Sequence, residues 1–458
     1  MKDKSSRRKF IATAITGTAA SIIAPTVFAG EQAKQPEVTS NNMNKHDSAG
    51  KKVDTGSKRV TPSEFIIFPW GGMPNNSNSP NHPWGIWGNF DTDQDALMRD
   101  LYECGFNTSG FCEVQNLRHI RNNNLMGIIL SMDITDKVTS ETTQEEANET
   151  IKKLIESISN PDDRKALYAI YLRDEPNGRG IPLLKVWSEA VKKQNVIPYI
   201  NLLPDIGQSE IYESPQNMSK EYKEYINQFI ETCKPPYISY DNYSLHEDGR
   251  LNEDFFYGNL DTIRNKSLQA GIPFWNVILG NTHFNYAEPS DATLAIQVYS
   301  TLAYGSKGIG YFTYYNPQVG NYRLSAIDRF GNRTKTWEMV RNINLQIHSL
   351  VPVYGKLKSV NVFHTGTVPR YGQGMDSAKL VESVTGDTLL VGEFTDDEGK
   401  PYAMVVNKNM HSSIAFDLQF KAKGRMMIVS QFNRGMVNFV GEQKWLAPGN
   451  GMLLTVGE

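Results

Sequence analysis

The sequence predicts a (β/α)8 TIM barrel followed by a small C-terminal antiparallel β-domain. Three observations carry that expectation. Short β-rich runs alternate with longer helix-patterned segments from residue 62 onward. The alternation completes eight rounds over about 290 residues, the size of one closed barrel. From residue 359 the texture changes to short alternating runs divided by turn residues such as "DDEGK".

In chain order the eight runs are 64–70 ("EFIIFPW"), 106–112 ("FNTSGFC"), 126–133 ("MGIILSMD"), 166–174 ("ALYAIYLRD"), 196–204 ("VIPYINLLP"), 237–244 ("YISYDNYS"), 272–280 ("IPFWNVILG") and 308–316 ("GIGYFTYYN"). Between them lie helical patterns such as "DQDALMRDLYECG" and "DATLAIQVYSTLAYG". The latter spaces Leu294, Ala295, Val298 and Leu302 on one helical face and stops at Gly305. "TWEMVRNINLQIHSLVPVYGKLK" reads as the last barrel helix. A doubly wound open sheet is the alternative, but no phosphate-cradling glycine turn follows a strand. The expected organisation is a barrel over 62–358 and a β-sandwich-like domain over 359–458, the latter packing on the barrel's side.

Residues 1–29 contain Arg7-Arg8 followed by Lys9, Phe10 and a moderately apolar stretch ending in Thr26-Val27-Phe28-Ala29. The pattern resembles a twin-arginine export signal with cleavage near Ala29, so export to the periplasm or beyond by that machinery is expected. An uncleaved membrane anchor is the competing reading. Residues 30–61 are polar and small, as flexible linkers are. The formal net charge of −3 carries no basic footprint for nucleic acid. The three cysteines, Cys104, Cys112 and Cys233, form no CxxC pair and no disulfide framework. Buried thiols, no cofactor and no metal are therefore expected.

Barrels of this kind carry their chemistry at the C-terminal strand ends. Counting along those ends yields Trp70, Glu113, Asp133, the adjacent Asp174 and Glu175, Asn201 and Asp205, then Tyr240, Asp241 and Tyr243. Strands seven and eight add Trp275, Asn276 and His283, then Tyr314, Tyr315 and Asn316. Each alone reads equally well as a loop cap or rim residue. Together they describe a mouth of carboxylates and amides with aromatic walls. Aromatic faces stack on sugar rings and carboxylates bind hydroxyls, which suits a carbohydrate.

The phrases "YLRDEP", "ISYDNYS", "FWNVI" and "LAYGSKGIGYFTYYNP" resemble those of bacterial polysaccharide-utilisation barrels related to family 42 β-galactosidase-like enzymes. The resemblance covers roughly residues 62–350. It implies a retaining (β/α)8 glycoside hydrolase with its acid/base glutamate, Glu175, at the end of strand four. Two departures stand out. Asp174 occupies the position where that clan has Asn, and "IPFWNVILGNTHF" holds no carboxylate where the clan places its strand-seven nucleophile. Glu288 in "NYAEPS" lies further on, where a loop is expected.

Two schemes accommodate the departures. In one, Glu175 is the acid/base and Asp241 the second carboxylate. In the other, the Asp174-Glu175 pair resembles that of substrate-assisted hexosaminidases such as family 123. Asp174 would then orient a substrate 2-acetamido group, with Tyr240 beside Asp241 resembling the Tyr-Asp of chitinase-like barrels. A carbohydrate-binding barrel without catalysis is the rival from another class. Trp84 and Trp87 could form a sugar platform or a barrel cap. His246 and His283 lack a third ligand at metal spacing. Asp91, Asp93 and Asp95 alternate as calcium loops do, but a helix N-cap is the expected role.

Overall fold

The computed structural model describes residues 59–71, 93–205, 218–318 and 320–457. Arg59–Glu458 forms one compact unit that includes both the barrel and the C-terminal β-structure. The twin-arginine pattern, the linker to residue 58, the "GMPNN" loop, Trp84, Trp87 and Asp91 lie outside the described residues.

Eight parallel strands form the barrel: β1 (Ile66–Pro69), β2 (Thr108–Cys112), β3 (Met126–Ile129), β4 (Leu167–Asp174), β5 (Ile197–Leu202), β6 (Ile238–Asp241), β7 (Phe274–Leu279) and β8 (Gly308–Phe312). Their order is β1-β8-β7-β6-β5-β4-β3-β2. The ring closes between β1 and β2 through Asn107 N–H to Ile67 O at 3.2 Å and Phe111 N–H to Gly71 O at 2.8 Å. Every strand falls inside one of the eight expected runs. The helices that position the site are α1 (Gln94–Glu103), α2 (Leu117–Asn122), α3 (Met132–Lys137), α4 (Gln144–Glu156), α5 (Pro161–Arg164), α6 (Leu184–Lys192), α7 (Met218–Cys233), α8 (Glu253–Ala270), α9 (Asp291–Ala303) and α10 (Lys335–Tyr354).

The barrel interior is filled by alternating large and small side chains. A Cβ on Gly308 would lie 2.4 Å from Ile66 and 2.6 Å from Trp275, and one on Gly310 would lie 2.6 Å from the Phe68 ring. The "GIGYF" of β8 therefore makes room for large rings on β1 and β7. Trp275 stacks face to face on Tyr237 at 3.7 Å within this filling. The packing is a core.

The C-terminal part begins with β9 (Lys358–His364), continues through β10 (Val381–Thr385), β11 (Leu389–Thr395), β12 (Pro401–Asn407), β13 (Ile414–Ala415), β14 (Asp417–Phe420), β15 (Arg425–Val429), β16 (Met436–Asn438) and β17 (Trp445–Leu446), and ends with β18 (Gly451–Gly457). Six of these form an antiparallel sheet in the order β16-β15-β18-β12-β11-β9, and β10–β14 and β13–β17 form two ribbons. One sheet face, with Leu390, Phe394, Met404 and Leu453, joins the cluster that holds Leu294, Val298 and Leu302 of α9. The other face, with Val391, Val405 and Leu454, meets Phe416 and Leu418 of the ribbons. Helix α9 is buried from Leu294 to Ala303 because it lies between barrel and sheet.

The segment leading into β1 is pinned by His348 of α10. Val60 N–H donates to its Nδ1 at 3.2 Å, and its Nε2 lies 2.8 Å from Gly105 O. Those partners require the neutral ring with the proton on Nε2. Burial pushes this imidazole down to about 4 from an ordinary 6.5, with Arg59 and Arg434 acting in the same direction. The unfolded chain therefore binds the extra proton between these values, and stability falls as pH drops through that window. The loss reaches about 3 kcal/mol at its lower end. Thermal melts from pH 7 to pH 4 should show this acid loss, and His348→Gln, which keeps one acceptor and one donor, should remove it.

Candidate functional site

The register of β4 explains how its terminal carboxylates are aimed. Tyr171 pairs with Tyr199, but Arg173 pairs with Ile200 and Asp174 with Asn201, because the register shifts between Tyr171 and Arg173. Tyr199 and Asn201 are two residues apart on β5, so both face the barrel interior. In an unbroken register Arg173 would stand beside Asn201 and Asp174 would face the helices. One extra residue reverses this and turns Asp174 inward, a re-aiming that bulges commonly perform.

The chain then turns sharply. Glu175 takes a φ of +44°, uncommon outside glycine, and its N–H donates to Asn201 O at 2.8 Å. Such a backbone conformation persists where the surrounding structure over-determines it. Both Asp174 and Glu175 are half-buried.

Beside them Asn201 acts as a fork. Its Nδ2 lies 3.2 Å from Asp174 Oδ1 and 3.2 Å from Asp241 Oδ1. Those two oxygens are thus separated by no more than twice that distance. Ser239 Oγ donates to Asn201 Oδ1 at 2.9 Å, and Tyr199 OH lies 3.3 Å from Ser239 Oγ. Asn201 and Asp241 are 1% and 2% exposed, so the chain of contacts runs from the barrel filling up to the strand ends. This polar arc occupies β4, β5 and β6.

An aromatic arc occupies the rest of the rim. Phe111 packs on Tyr171 at 4.7 Å, Trp70 on Phe111 at 5.1 Å and on Phe312 at 5.3 Å, and Tyr243 on Phe312 at 5.7 Å. His283 lies 5.3 Å from Phe312 and is stacked on Tyr322 at 4.7 Å, within 3° of parallel. Its Nδ1 is 2.9 Å from Asn281 Oδ1, while Asn281 Nδ2 donates to the hydroxyls of Thr313 and Ser325.

The structure therefore brings together Asp174, Glu175, Asn201 and Asp241 on one side, and Trp70, Tyr243 and His283 on the other. Other candidates stand elsewhere. Trp275 lies low in the barrel filling, since β7 runs on to Leu279. Asn276 points outward and donates to Thr301 Oγ1 of α9 at 2.8 Å. Tyr240 alternates with Asp241 and is buried in the shell between strands and helices. Tyr314 donates to the Asp100 carboxylate behind β8 and accepts from Trp337 Nε1 at 2.8 Å; Tyr315 packs beside it. Asp133 sits in the first turn of α3, exposed and paired with Lys137 at 2.8 Å. Glu113 stays at the end of β2, half-buried, with Gln115 Nε2 2.5 Å from its Oε2. Asp205 follows β5, and its N–H donates to Asn259 Oδ1 of α8 at 2.7 Å. Asn316 is tied to the carbonyls of Pro317 and Tyr322.

Ser239, Phe111, Phe312 and Asn281 were missed by counting strand ends alone. The period of two would have found Ser239, two residues before Asp241 and facing the same way.

Among the described residues no group of three His, Cys, Asp or Glu side chains could hold a metal ion. Asp93 caps α1 by accepting from Asp95 N–H and Ala96 N–H, as an N-cap should, while Asp95 pairs with His119. Glu288 is an exposed loop residue paired with Arg323 at 3.2 Å. The three cysteines are free and buried. Two open depressions, of about 790 and 870 Å³, lie against Val60–Ser63 at the opposite end of the barrel and on the α3–α4 surface. Neither adjoins the strand ends where barrel chemistry sits.

No family model and no curated protein matches the chain. Among solved structures, the chain is similar to a catalytic mutant of a family 42 β-galactosidase from G. stearothermophilus. The two share 9% identity with a TM-score of 0.51, over 87% of this chain and 99% of that one. A β-galactosidase from Rahnella sp. aligns at 11% identity and TM-score 0.45, over 67% of this chain and 58% of that one. A family 51 arabinofuranosidase from Xanthomonas axonopodis pv. citri aligns at 10% and 0.43, over 88% and 98%. At 9% identity the likeness to the family 42 enzyme is one of fold alone.

Proposed function

We propose that this chain is an exported glycoside hydrolase that cleaves a glycosidic bond in a poly- or oligosaccharide. The observation that carries the reading is the divided rim. Asp174, Asn201 and Asp241 form a polar arc, and an aromatic arc of Trp70, Phe312 and Tyr243 runs round the remaining strand ends, with Phe111 wholly buried beneath it. A sugar offers an apolar C–H face and a fringe of hydroxyls, and the two arcs match those two surfaces. The twin-arginine-like N-terminus supports export, and the net charge speaks against nucleic acid as partner.

In this reading Glu175 protonates the departing glycosidic oxygen. Where Asp241 is the nucleophile, Glu175 later takes the proton of the water that frees the sugar, whereas with Asp241 as base on water that proton goes to Asp241. Asp241 acts as the anion on the opposite side of the anomeric carbon, as nucleophile or as base on water. Asp174 and Asn201 hold hydroxyls or position the anions. The chemistry needs no cofactor.

A second reading has its own support. The chain after β7 runs Gly280-Asn281-Thr282-His283 and offers no carboxylate there. Asp174 is held by the same amide as Asp241. A substrate-assisted N-acetylhexosaminidase would use Asp174 to orient the 2-acetamido group and Glu175 as acid/base. A panel of aryl glycosides with and without that group separates the readings. Cleavage of plain glycosides supports Asp241 as the second carboxylate, and cleavage of the acetamido sugars alone supports substrate assistance. A folded protein that binds sugars and cleaves none would be the binding barrel.

A further inference from the structure

We propose that Asn201 is a positioning residue which, clamped by Ser239, holds Asp174 and Asp241 as two ionised carboxylates at one fixed separation. The consequence, that proton transfer is left to Glu175, rests on the glycosidase reading. The clamp itself rests on geometry alone.

A side-chain amide has one acceptor and two donors. Ser239 Oγ takes the acceptor at 2.9 Å, which turns the NH2 group toward the carboxylates, and each receives a contact at 3.2 Å. The reversed amide would set its oxygen against two carboxylate oxygens. Two nearby carboxyls without a donor between them tend to share a proton, because one anion opposes the other. Here a buried NH2 donates to both, which favours the charged form of each.

The other titratable groups facing the pair come from several elements. Tyr171 and Tyr199 lie beneath Asp174, and Glu175 follows it. Behind β6, Tyr240 and Tyr222 of α7 lie within electrostatic reach of Asp241, and Asp205 after β5 lies within reach of Tyr222. Burial pushes Tyr199, Tyr222 and Tyr240 far above their ordinary range, so these phenols stay neutral throughout acid titration.

The test is a carboxyl 13C titration of the protein labelled at aspartate, with Asp174→Asn and Asp241→Asn assigning the two signals. Ser239→Ala frees the amide to turn, and both carboxylates should then titrate higher by about one pH unit. Ser239→Thr, which restores a hydroxyl, should return both to their original midpoints. Asn201→Ala serves as a second variant should Ser239→Ala fold poorly, and should raise both midpoints likewise. Unchanged titration in the variants, a shift of one carboxylate only, or a single shared-proton step in the wild type would overturn the clamp. Where a substrate is turned over, Ser239→Ala should lower kcat at least tenfold with KM within twofold. Silence in every sugar assay would count against the glycosidase reading, and the titration would still judge the clamp.

Discussion

Replacing Glu175 with Gln should lower kcat by about 10²–10⁴-fold on a glycoside with a poor leaving group, with KM changed little. The amide has nearly the shape of the acid but cannot hand over a proton to the departing oxygen. The backbone contact from residue 175 N–H to Asn201 O survives the change, and Gln meets the same demand at φ +44° as Glu does. The loss should shrink sharply on a dinitrophenyl glycoside, whose aglycone leaves without protonation. Steady-state kinetics on the two substrates reads this contrast directly. An equal loss on both would mean that Glu175 does something other than donate a proton.

Gly392→Ala should cause the largest loss of stability among single methyl additions in the chain's C-terminal half. A Cβ on Gly392 would lie 2.0 Å from Ala303 O and 2.7 Å from its carbonyl carbon. Both are backbone atoms at the end of α9, so no side chain can rotate away. Overpacking of a tight core costs about 1–3 kcal/mol, and a clash against backbone belongs at or above the top of that range. Gly449 and Gly451 make similar approaches, to Ala292 O at 2.3 Å and to the Tyr299 ring at 2.5 Å. The sheet is thus seated on α9 through three glycines, and α9 joins β7 to β8. Thermal melting of Gly392→Ala and Gly399→Ala compares a crowded strand glycine with one that has open space around it but a φ of +82°. Only the first should lose packing against α9. A barrel unaffected by Gly392→Ala would mean that the sheet is not seated as described.

The fold was legible because its signal is periodic. Eight apolar runs separated by helix patterns survive errors of two or three residues at each end. The site was less legible because it depends on those ends. Trp275 and Asn276 were counted among the rim residues of strand seven, yet β7 continues to Leu279 and leaves them low in the barrel wall. Tyr240 and Asp241 are neighbours in sequence but face opposite sides of one strand, and only Asp241 reaches the interior. Tyr314 and Tyr315 belong to the packing behind β8. The placement of Asp174 turns on a register shift that no composition announces. Within the phrase "GSKGIGYF" the structure shows a packing role. Its glycines at 308 and 310 make space for Trp275, Ile66 and Phe68, a packing duty inside the barrel. Asp174, Glu175, Asn201 and Asp241 were singled out in the sequence, and their mutual arrangement came only from the structure.

The most direct test of the central claim is a reducing-end assay over a set of polysaccharides and oligosaccharides, run in parallel on wild type and Glu175→Gln. Calorimetric binding of the same sugars accompanies it. The account predicts that the wild type releases new reducing ends from at least one sugar, and that Glu175→Gln binds that sugar with similar Kd but releases almost none. Equal release by both proteins, or tight binding by the wild type without release from any sugar it holds, would contradict it.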